Sequence, residues 1–268
     1  MEPTDLADGA RSAAEVGGNK ADSLFREELT IETKTNKTDV VTRADREAEM
    51  AVIDCIRDTD PTATIVAEES ADEATIPDEG RAWIIDPIDG TNNYVRGIPL
   101  WVTAVAVVED RQPIAAAIEA PELGYTFTAD TDGARMNGEP ITVNNRHDPE
   151  EMAVAPTFWW PTDRRAEYGT AASEIVERFG DLIRLRSAQL TLALVARGAI
   201  DATFTNRTMN SWDSVAGAFL IEQAGGSVTD IEGDRWEFDS RGIAASNGEA
   251  HDQVLAAVQA VESVRSSQ

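Results

Sequence analysis

The 268-residue chain is 42% hydrophobic, enough for one large core or two smaller ones. Its formal net charge of −26 and pI near 4.3 describe a surface that repels nucleic acid and anionic membranes, and no apolar stretch is long enough to cross a bilayer. A single cysteine, Cys55, excludes an internal disulfide and a cysteine-based zinc site, and two histidines, His147 and His251, both in polar surroundings, read as surface residues and exclude a His-rich metal centre.

Any metal chemistry must therefore rest on oxygen ligands, which suit Mg²⁺, Mn²⁺ or Ca²⁺. The acidic start Met1-Glu2-Pro3-Thr4-Asp5 lacks the basic-then-apolar order of a signal peptide, so a soluble, cytoplasmic protein is expected. Lysine is confined to Lys20, Lys34 and Lys37, a depletion expected of a salt-loving organism, whose cytoplasm screens the self-repulsion of such a surface. An anionic substrate would need a local positive centre, which a metal cluster supplies.

In chain order, residues Asp5 to Glu28 carry apolar side chains at helical spacing, with Gly17-Gly18 as a weak point in the middle. A polar, mobile-looking stretch from Thr33 to Asp39 follows. Thr42 reads as the N-cap of a second helix with Asp45 in its first turn, ending at Pro61. Thr64 to Ala67 is a short strand that runs into Glu68-Glu69-Ser70. Ala82-Trp83-Ile84-Ile85 is a buried strand that stops at Asp86-Pro87, and Val102–Val108 and Ile114–Ile118 are two more. Tyr125–Ala129 and Ile141–Val143, separated by Asp132-Gly133 and Asn137-Gly138, predict a hairpin region.

Asn144 to Pro149 reads as a linker, dividing an N-terminal subdomain (1–146) from a C-terminal one (147–268). Beyond it the pattern predicts strands at Ala153–Ala155, Ala202–Phe204 and Ile243–Ala245, with an alternating piece at Leu182–Leu185. Helices are expected over Ala171–Phe179, Leu190–Ala196, from Ser211-Trp212-Asp213 to Gly225-Gly226, and over Gln253–Val264. Trp159-Trp160 beside a proline reads as core or interface rather than a sugar-stacking platform. The class is α+β.

The chemistry concentrates at Asp86-Pro87-Ile88-Asp89-Gly90-Thr91. A buried strand delivers Asp86, and Asp89 follows three residues later with no basic residue nearby; two such carboxylates repel unless a cation lies between them. Free backbone N–H groups at Gly90-Thr91 suit a phosphate oxygen. Carboxylates for metal beside amides for phosphate is the arrangement that metal-assisted phosphate hydrolysis needs.

With Asn92-Asn93-Tyr94, this run resembles the signature of the inositol monophosphatase family, Asp-Pro-Ile/Leu-Asp-Gly-Thr-x-Asn-Phe. Lys34 to Asp45, Ala67-Glu68-Glu69-Ser70, Gly133-Ala134 with Asn137-Gly138, and Trp212-Asp213-Ser214-Val215-Ala216-Gly217 with Glu222 to Gly226 resemble its other blocks in the same order. The resemblance implies a layered αβαβα sandwich of the sugar-phosphatase type, with a sheet flanked by helices in each subdomain. It implies two or three Mg²⁺ ions held by Glu69, Asp86, the Ile88 carbonyl, Asp89 and Asp213. Asp45 and Thr91, with Glu69, would activate the attacking water, the Gly90 and Thr91 amides would hold phosphate, and Lys34 would match a family lysine in a mobile loop.

At the substrate end the chain departs from the family. Arg186-Ser187-Ala188 stands where members have Gly-Ser/Thr-Ala, and Asn206 and Arg207 stand in a region where inositol-specific members place a glutamate. Ser187, Ala188 and Asn206 are read as polyol contacts, and Arg186 and Arg207 as contacts to a second phosphate. The resemblance thus implies a Mg²⁺-dependent phosphomonoesterase acting on inositol 1-phosphate and/or fructose 1,6-bisphosphate, with a homodimer as the expected assembly. The alternatives are a 3′(2′),5′-bisphosphate nucleotidase and a non-catalytic regulatory protein on the same fold.

Overall fold

The computed structural model describes residues 3–27, 31–33, 40–70, 75–158 and 160–266; the predicted loop residue Lys34 and also Trp159 lie outside them. The elements before residue 147 are α1 (Pro3–Asp22), β1 (Ile31–Thr33), β2 (Val40–Thr42), α2 (Arg43–Thr59), β3 (Thr64–Ala67), β4 (Arg81–Asp89), the one-turn α3 (Thr91–Tyr94), β5 (Val102–Glu109), β6 (Gln112–Ala120), β7 (Tyr125–Asp130), β8 (Gly133–Met136) and β9 (Glu139–Pro140). After it come β10 (Ala153–Pro156), α4 (Arg165–Arg178), β11 (Asp181–Leu182), α5 (Ala188–Ala196), β12 (Ala202–Thr205), α6 (Val215–Gln223), β13 (Ser227–Thr229), β14 (Ile243–Ser246) and α7 (His251–Ser266).

Besides the short β1–β2 ladder there are two sheets, one of seven strands in the order β3-β4-β5-β6-β7-β8-β9 and one of five in the order β11-β10-β12-β14-β13. Strand alternation sorts their side chains into layers. Trp83, Ile85, Val105, Val107, Ala115 and Ala117 face α1 and α2, where they pack with Leu6, Ala10, Val52 and Ile56. Their neighbours Ile84, Ala104, Ala106, Ala116 and Ile118 face the other way, onto Leu190, Leu192, Phe219 and Leu220 of α5 and α6. Those two helices also cover the inner face of the five-stranded sheet through Ala155, Ile243 and Ala245. Its outer face, with Val154, Phe204 and Ala244, packs on α4 and α7 through Ala171, Ile175, Val254 and Val258. The result is an α+β fold of five layers, helices–sheet–helices–sheet–helices.

Several expectations are revised. Helix α1 runs unbroken through Gly17-Gly18, because tertiary packing outweighs propensity: a β-carbon at Gly17 would collide with Val52 and Thr103, and one at Gly18 would lie 2.8 Å from Glu119. The glycines bring the helix onto α2 and the sheet. Residues Ile141–Val143 form no strand; the Val143 N–H donates instead to Ala224 O at 3.1 Å. Strands β1, β2 and β13 were not anticipated, being three residues each and too short for a readable period. Trp160 is core, as expected, stacked on Tyr168 with centroids 5.2 Å apart.

His147 is exposed, but His251 is half-buried. Its ring lies between the Ser246 hydroxyl (2.8 Å from Nδ1) and the Thr229 hydroxyl (2.9 Å from Nε2), and burial lowers its pKa. The folded state therefore prefers the neutral ring. Stability from this group is complete above the ordinary histidine range and is lost as pH falls through ~6.5 toward the lower folded value. Replacing His251 with Gln should flatten that limb of the Tm–pH curve. An unchanged slope between about pH 7 and 5 would remove His251 from the account.

Candidate metal centre

Register builds the first half of the site. β3 pairs in parallel with β4, Thr64 opposite Ala82 through Ala67 opposite Ile85. One step further the Glu68 N–H still donates to Ile85 O at 3.2 Å, so Glu68 falls beside Asp86. β4 does not stop at Asp86, as the sequence suggested, but continues to Asp89 through a bulge: Asp86 opposes Ala104 and Asp89 opposes Val102, so three steps on β4 match two on β5. The buried Thr103 hydroxyl caps the Pro87 carbonyl at 2.7 Å, and the Thr91 hydroxyl donates to the Ile88 carbonyl at 3.1 Å. The extra residue turns Asp89 toward the same space as Asp86. The chain then reverses at Gly90, whose φ of 98° and close approach (a β-carbon would lie 2.9 Å from Leu100 O) admit only glycine.

The second half comes from α5 and α6. Asp213 sits in the turn Ser211–Ser214 that precedes α6, with Asn210 Nδ2 donating to it at 3.1 Å. Asp89 is held by the start of α5: the Ser187 hydroxyl (2.5 Å) and Gln189 N–H (2.7 Å) donate to Oδ2, and the Ala188 N–H (3.1 Å) to Oδ1. A carboxylate there also complements the helix dipole. One carboxylate oxygen each from Asp86, Asp89 and Asp213 lie within 4.8 Å of one another.

The electrostatics of this cluster are unfavourable by themselves. Burial, then the charges of Glu68, Asp89 and Asp213, push the Asp86 carboxyl well above the usual carboxylate range, and Glu68 hydrogen-bonds to it. Burial, then Glu68 and Asp89, do the same to Asp213. Burial also raises Asp89, against the hydrogen bonds from Ser187, Ala188 and Gln189. Asp86 Oδ1 is buried with no hydrogen-bond partner. Four crowded carboxylates, one with an orphaned oxygen, fit a divalent cation. Opposite oxygens on one Mg²⁺ stand ~4.2 Å apart, which falls inside the 4.8 Å that encloses these three.

The predicted residues divide as follows. Asp86, Asp89 and Asp213 come together. Asp45 is fully buried in the first turn of α2, near enough to Tyr94 for its charge to raise the phenol pKa. Glu69 is a correction: the carboxylate beside Asp86 is that of Glu68, while Glu69 leaves the ladder and its N–H donates to Glu49 Oε2 at 2.7 Å. Ser187 and Ala188 are spent on Asp89, as above. Asn206 is buried and structural, accepting from Trp160 Nε1 (2.8 Å) and donating to Glu167 (2.5 Å) and Glu262 (2.9 Å). Arg207 lies near Asp213 and Arg164, with burial lowering its pKa first.

Sequence reading missed Gln189. Its N–H holds Asp89, its Nε2 donates to Trp212 O at 2.6 Å, and its Oε1 accepts from Gly217 N at 2.8 Å. A single fully buried side chain thus couples the turn bearing Asp213 to the helix end bearing Asp89. The signal was a lone glutamine in the helix Ala188–Ala196, whose only other polar side chain is Thr191. Gln189→Leu keeps the volume but strands two backbone groups, so it should weaken metal-induced thermal stabilisation and lower turnover about 10–100-fold. Unchanged Mg²⁺ affinity in that variant would show that the coupling is irrelevant to the centre.

A layered α+β protein with an acidic, cation-competent centre between its two sheets is a recognisable class. The inositol monophosphatase family model matches residues 2–263. The chain is 37% identical over 233 residues to the fructose-1,6-bisphosphatase/inositol-1-monophosphatase of Thermotoga maritima, covering 86% of this chain and 87% of that protein. It is 32% identical to the inositol-1-monophosphatase of Bacillus subtilis over 94% of this chain and 96% of that one. The solved structure of the Thermotoga maritima IMPase superposes with a TM-score of 0.88 at 32% identity, covering 97% of this chain and 99% of that one. The chain belongs to the inositol monophosphatase family. Among the described residues, no helix is long and apolar enough to cross a membrane.

Proposed function

We propose that this chain is a Mg²⁺-dependent phosphomonoesterase acting on a small sugar or polyol phosphate, with inositol 1-phosphate and fructose 1,6-bisphosphate as the leading substrates. The observation that carries the reading is the meeting of Asp86, Asp89 and Asp213 oxygens within 4.8 Å, with Glu68 beside them, in a member of this family. Glu68, Asp86, Asp89, Asp213 and the Ile88 carbonyl would hold the ions. Mg²⁺ held there would supply Lewis acidity toward the phosphoryl oxygens and toward the attacking water. Asp45 and Thr91 would position the attacking water, and the amides of Gly90 and Thr91 would orient the phosphate at the turn that only glycine allows.

The relatives' names support phosphatase chemistry on inositol phosphate and fructose bisphosphate. A non-catalytic reading requires no intact carboxylate set, and the set is intact. The salt-loving reading predicts best activity at high salt, where the −26 charge is screened. Phosphate release should be measured from inositol 1-phosphate, fructose 1,6-bisphosphate and 3′-phosphoadenosine 5′-phosphate, at low and high salt, with Mg²⁺ and no added partner. Release from either of the first two, abolished by EDTA, is the expected result. Release only from the nucleotide would move the chain to the nucleotidase alternative, and none from any would favour the non-catalytic one.

A further inference from the structure

Helix α2 carries a buried acid that the chemistry described above does not use. The buried face of this helix is Ala44, Asp45, Ala48, Glu49, Val52 and Ile56, spaced as one helical stripe. Val52 and Ile56 pack with Trp83 and Ile85 of the sheet, and Ala44 and Ala48 with Ile88 and Tyr94. Asp45 and Glu49 break the apolar pattern, at 0% and 4% exposure. A carboxylate in such a place is costly unless it answers a hydrogen-bond donor.

The sheet supplies the donor. β3 is an edge strand, paired on one side only, with β4. Successive N–H groups along a strand point to opposite edges. The Glu68 N–H turns inward to Ile85 O at 3.2 Å, so the next N–H, that of Glu69, turns outward, where no strand lies. There it meets Glu49 Oε2 at 2.7 Å. This bond falls one residue after the acid that stands beside Asp86, and beyond the last ladder pair, Ala67 opposite Ile85. It anchors the chain at the point where the sheet no longer does so.

We propose that Glu49 is a positioning residue, which pins the backbone of the Glu68–Ser70 turn to α2 and so keeps Glu68 level with Asp86. Residues four apart on a helix present β-carbons ~5–6 Å from one another on one face. Asp45, assigned to the attacking water, and the anchor of the Glu68 turn therefore ride on one rigid element. The acceptor oxygen carries this role, and the charge does not. The inference goes beyond the phosphomonoesterase reading and rests on it for the kinetic arm of its test.

Glu49→Gln keeps an acceptor at the same place, whereas Glu49→Leu keeps the volume without one. Hydrogen exchange in EDTA reads the anchor directly. The Glu69 amide should be protected in the parent and in Glu49→Gln, and should exchange at least tenfold faster in Glu49→Leu, with the β4–β5 ladder amides unchanged. Glu69 exchange in the parent as fast as in an exposed loop overturns the proposal without any variant. Mg²⁺ titrated by thermal shift should show a midpoint at least fivefold higher in Glu49→Leu and within twofold of the parent in Glu49→Gln. On fructose 1,6-bisphosphate the Mg²⁺ needed for half-maximal rate should rise in the leucine variant, while kcat at saturating Mg²⁺ falls less than threefold. A leucine variant that melts lower in EDTA but keeps the parent's Mg²⁺ midpoint reduces Glu49 to packing and overturns the proposal. So does a glutamine variant as impaired as the leucine one, which would assign the role to the charge. A parent that releases no phosphate defeats the phosphatase reading alone, because amide exchange and the Mg²⁺ midpoint still decide what Glu49 does.

Discussion

Asp86→Asn should lose Mg²⁺-dependent phosphate release at least ~1,000-fold, equivalent to ~4 kcal/mol of barrier, and yet melt above the parent protein in EDTA. Both halves follow from the same crowding. Asp86 is 1% exposed, with one oxygen orphaned and Glu68, Asp89 and Asp213 all raising its pKa. Without a cation, a buried charge there opposes folding, and an amide of the same shape removes it while its Nδ2 can donate to the Glu68 carboxylate. A gain on the order of 1 kcal/mol shifts Tm by roughly 2–4 °C in a protein of this size. With the cation the ranking reverses. Mg²⁺ at a hundred times its Kd stabilises the parent by about 2.7 kcal/mol, and the variant should show little of that shift. Differential scanning with and without Mg²⁺, beside a phosphate-release assay, checks both. A variant that melts lower in EDTA, or keeps more than a tenth of the activity, contradicts the reading of the centre.

This opposition between stability and function explains what was legible in the chain. Asp86 and Asp89 stand out locally because an uninterrupted apolar strand ends in two acids and a Gly-Thr turn, a pattern with no use in a core. Asp213 reads from Trp212-Asp213 ahead of an apolar helix. The layers are legible for the same reason: strands β4, β5 and β6 are buried on both faces, so their apolar runs announce a sheet between helices. The contacts that hold the acids in place were not legible, because they are made across the fold. Ser187 and Ala188 look like substrate groups until α5 is seen to grip Asp89, and Asn206 looks available until Trp160 and Glu167 close on it. Gln189 acts 23 residues from Trp212 and one helix end from Asp89, a relation no local period encodes. Arg186 is legible only as a departure from glycine; its left-handed φ of 64° shows why glycine suits that position.

Glu68→Gln and Glu69→Gln form a pair whose contrast should be nearly as large. Both glutamates follow β3 and neither is distinguished by composition, so the assignment depends on strand register alone. Parallel pairing places Thr64 opposite Ala82 and carries Glu68 to the level of Asp86, where it hydrogen-bonds that carboxyl and its charge also reaches Asp213. A one-residue step reverses the face on which a strand side chain lies, so the two neighbours cannot both point at the centre while the ladder persists. Glu69 has left the ladder for α2, anchored through its backbone to Glu49. Glu68→Gln should therefore lower kcat by ~100-fold or more and raise the Mg²⁺ concentration needed for half-maximal activity, while Glu69→Gln stays within about tenfold of the parent on both. Titrating Mg²⁺ by thermal shift gives the same contrast without turnover. If Glu69→Gln proves the more damaging of the two, the ladder does not extend past Ala67 in the working enzyme, and the acidic turn would have to rotate by one residue to meet its cation.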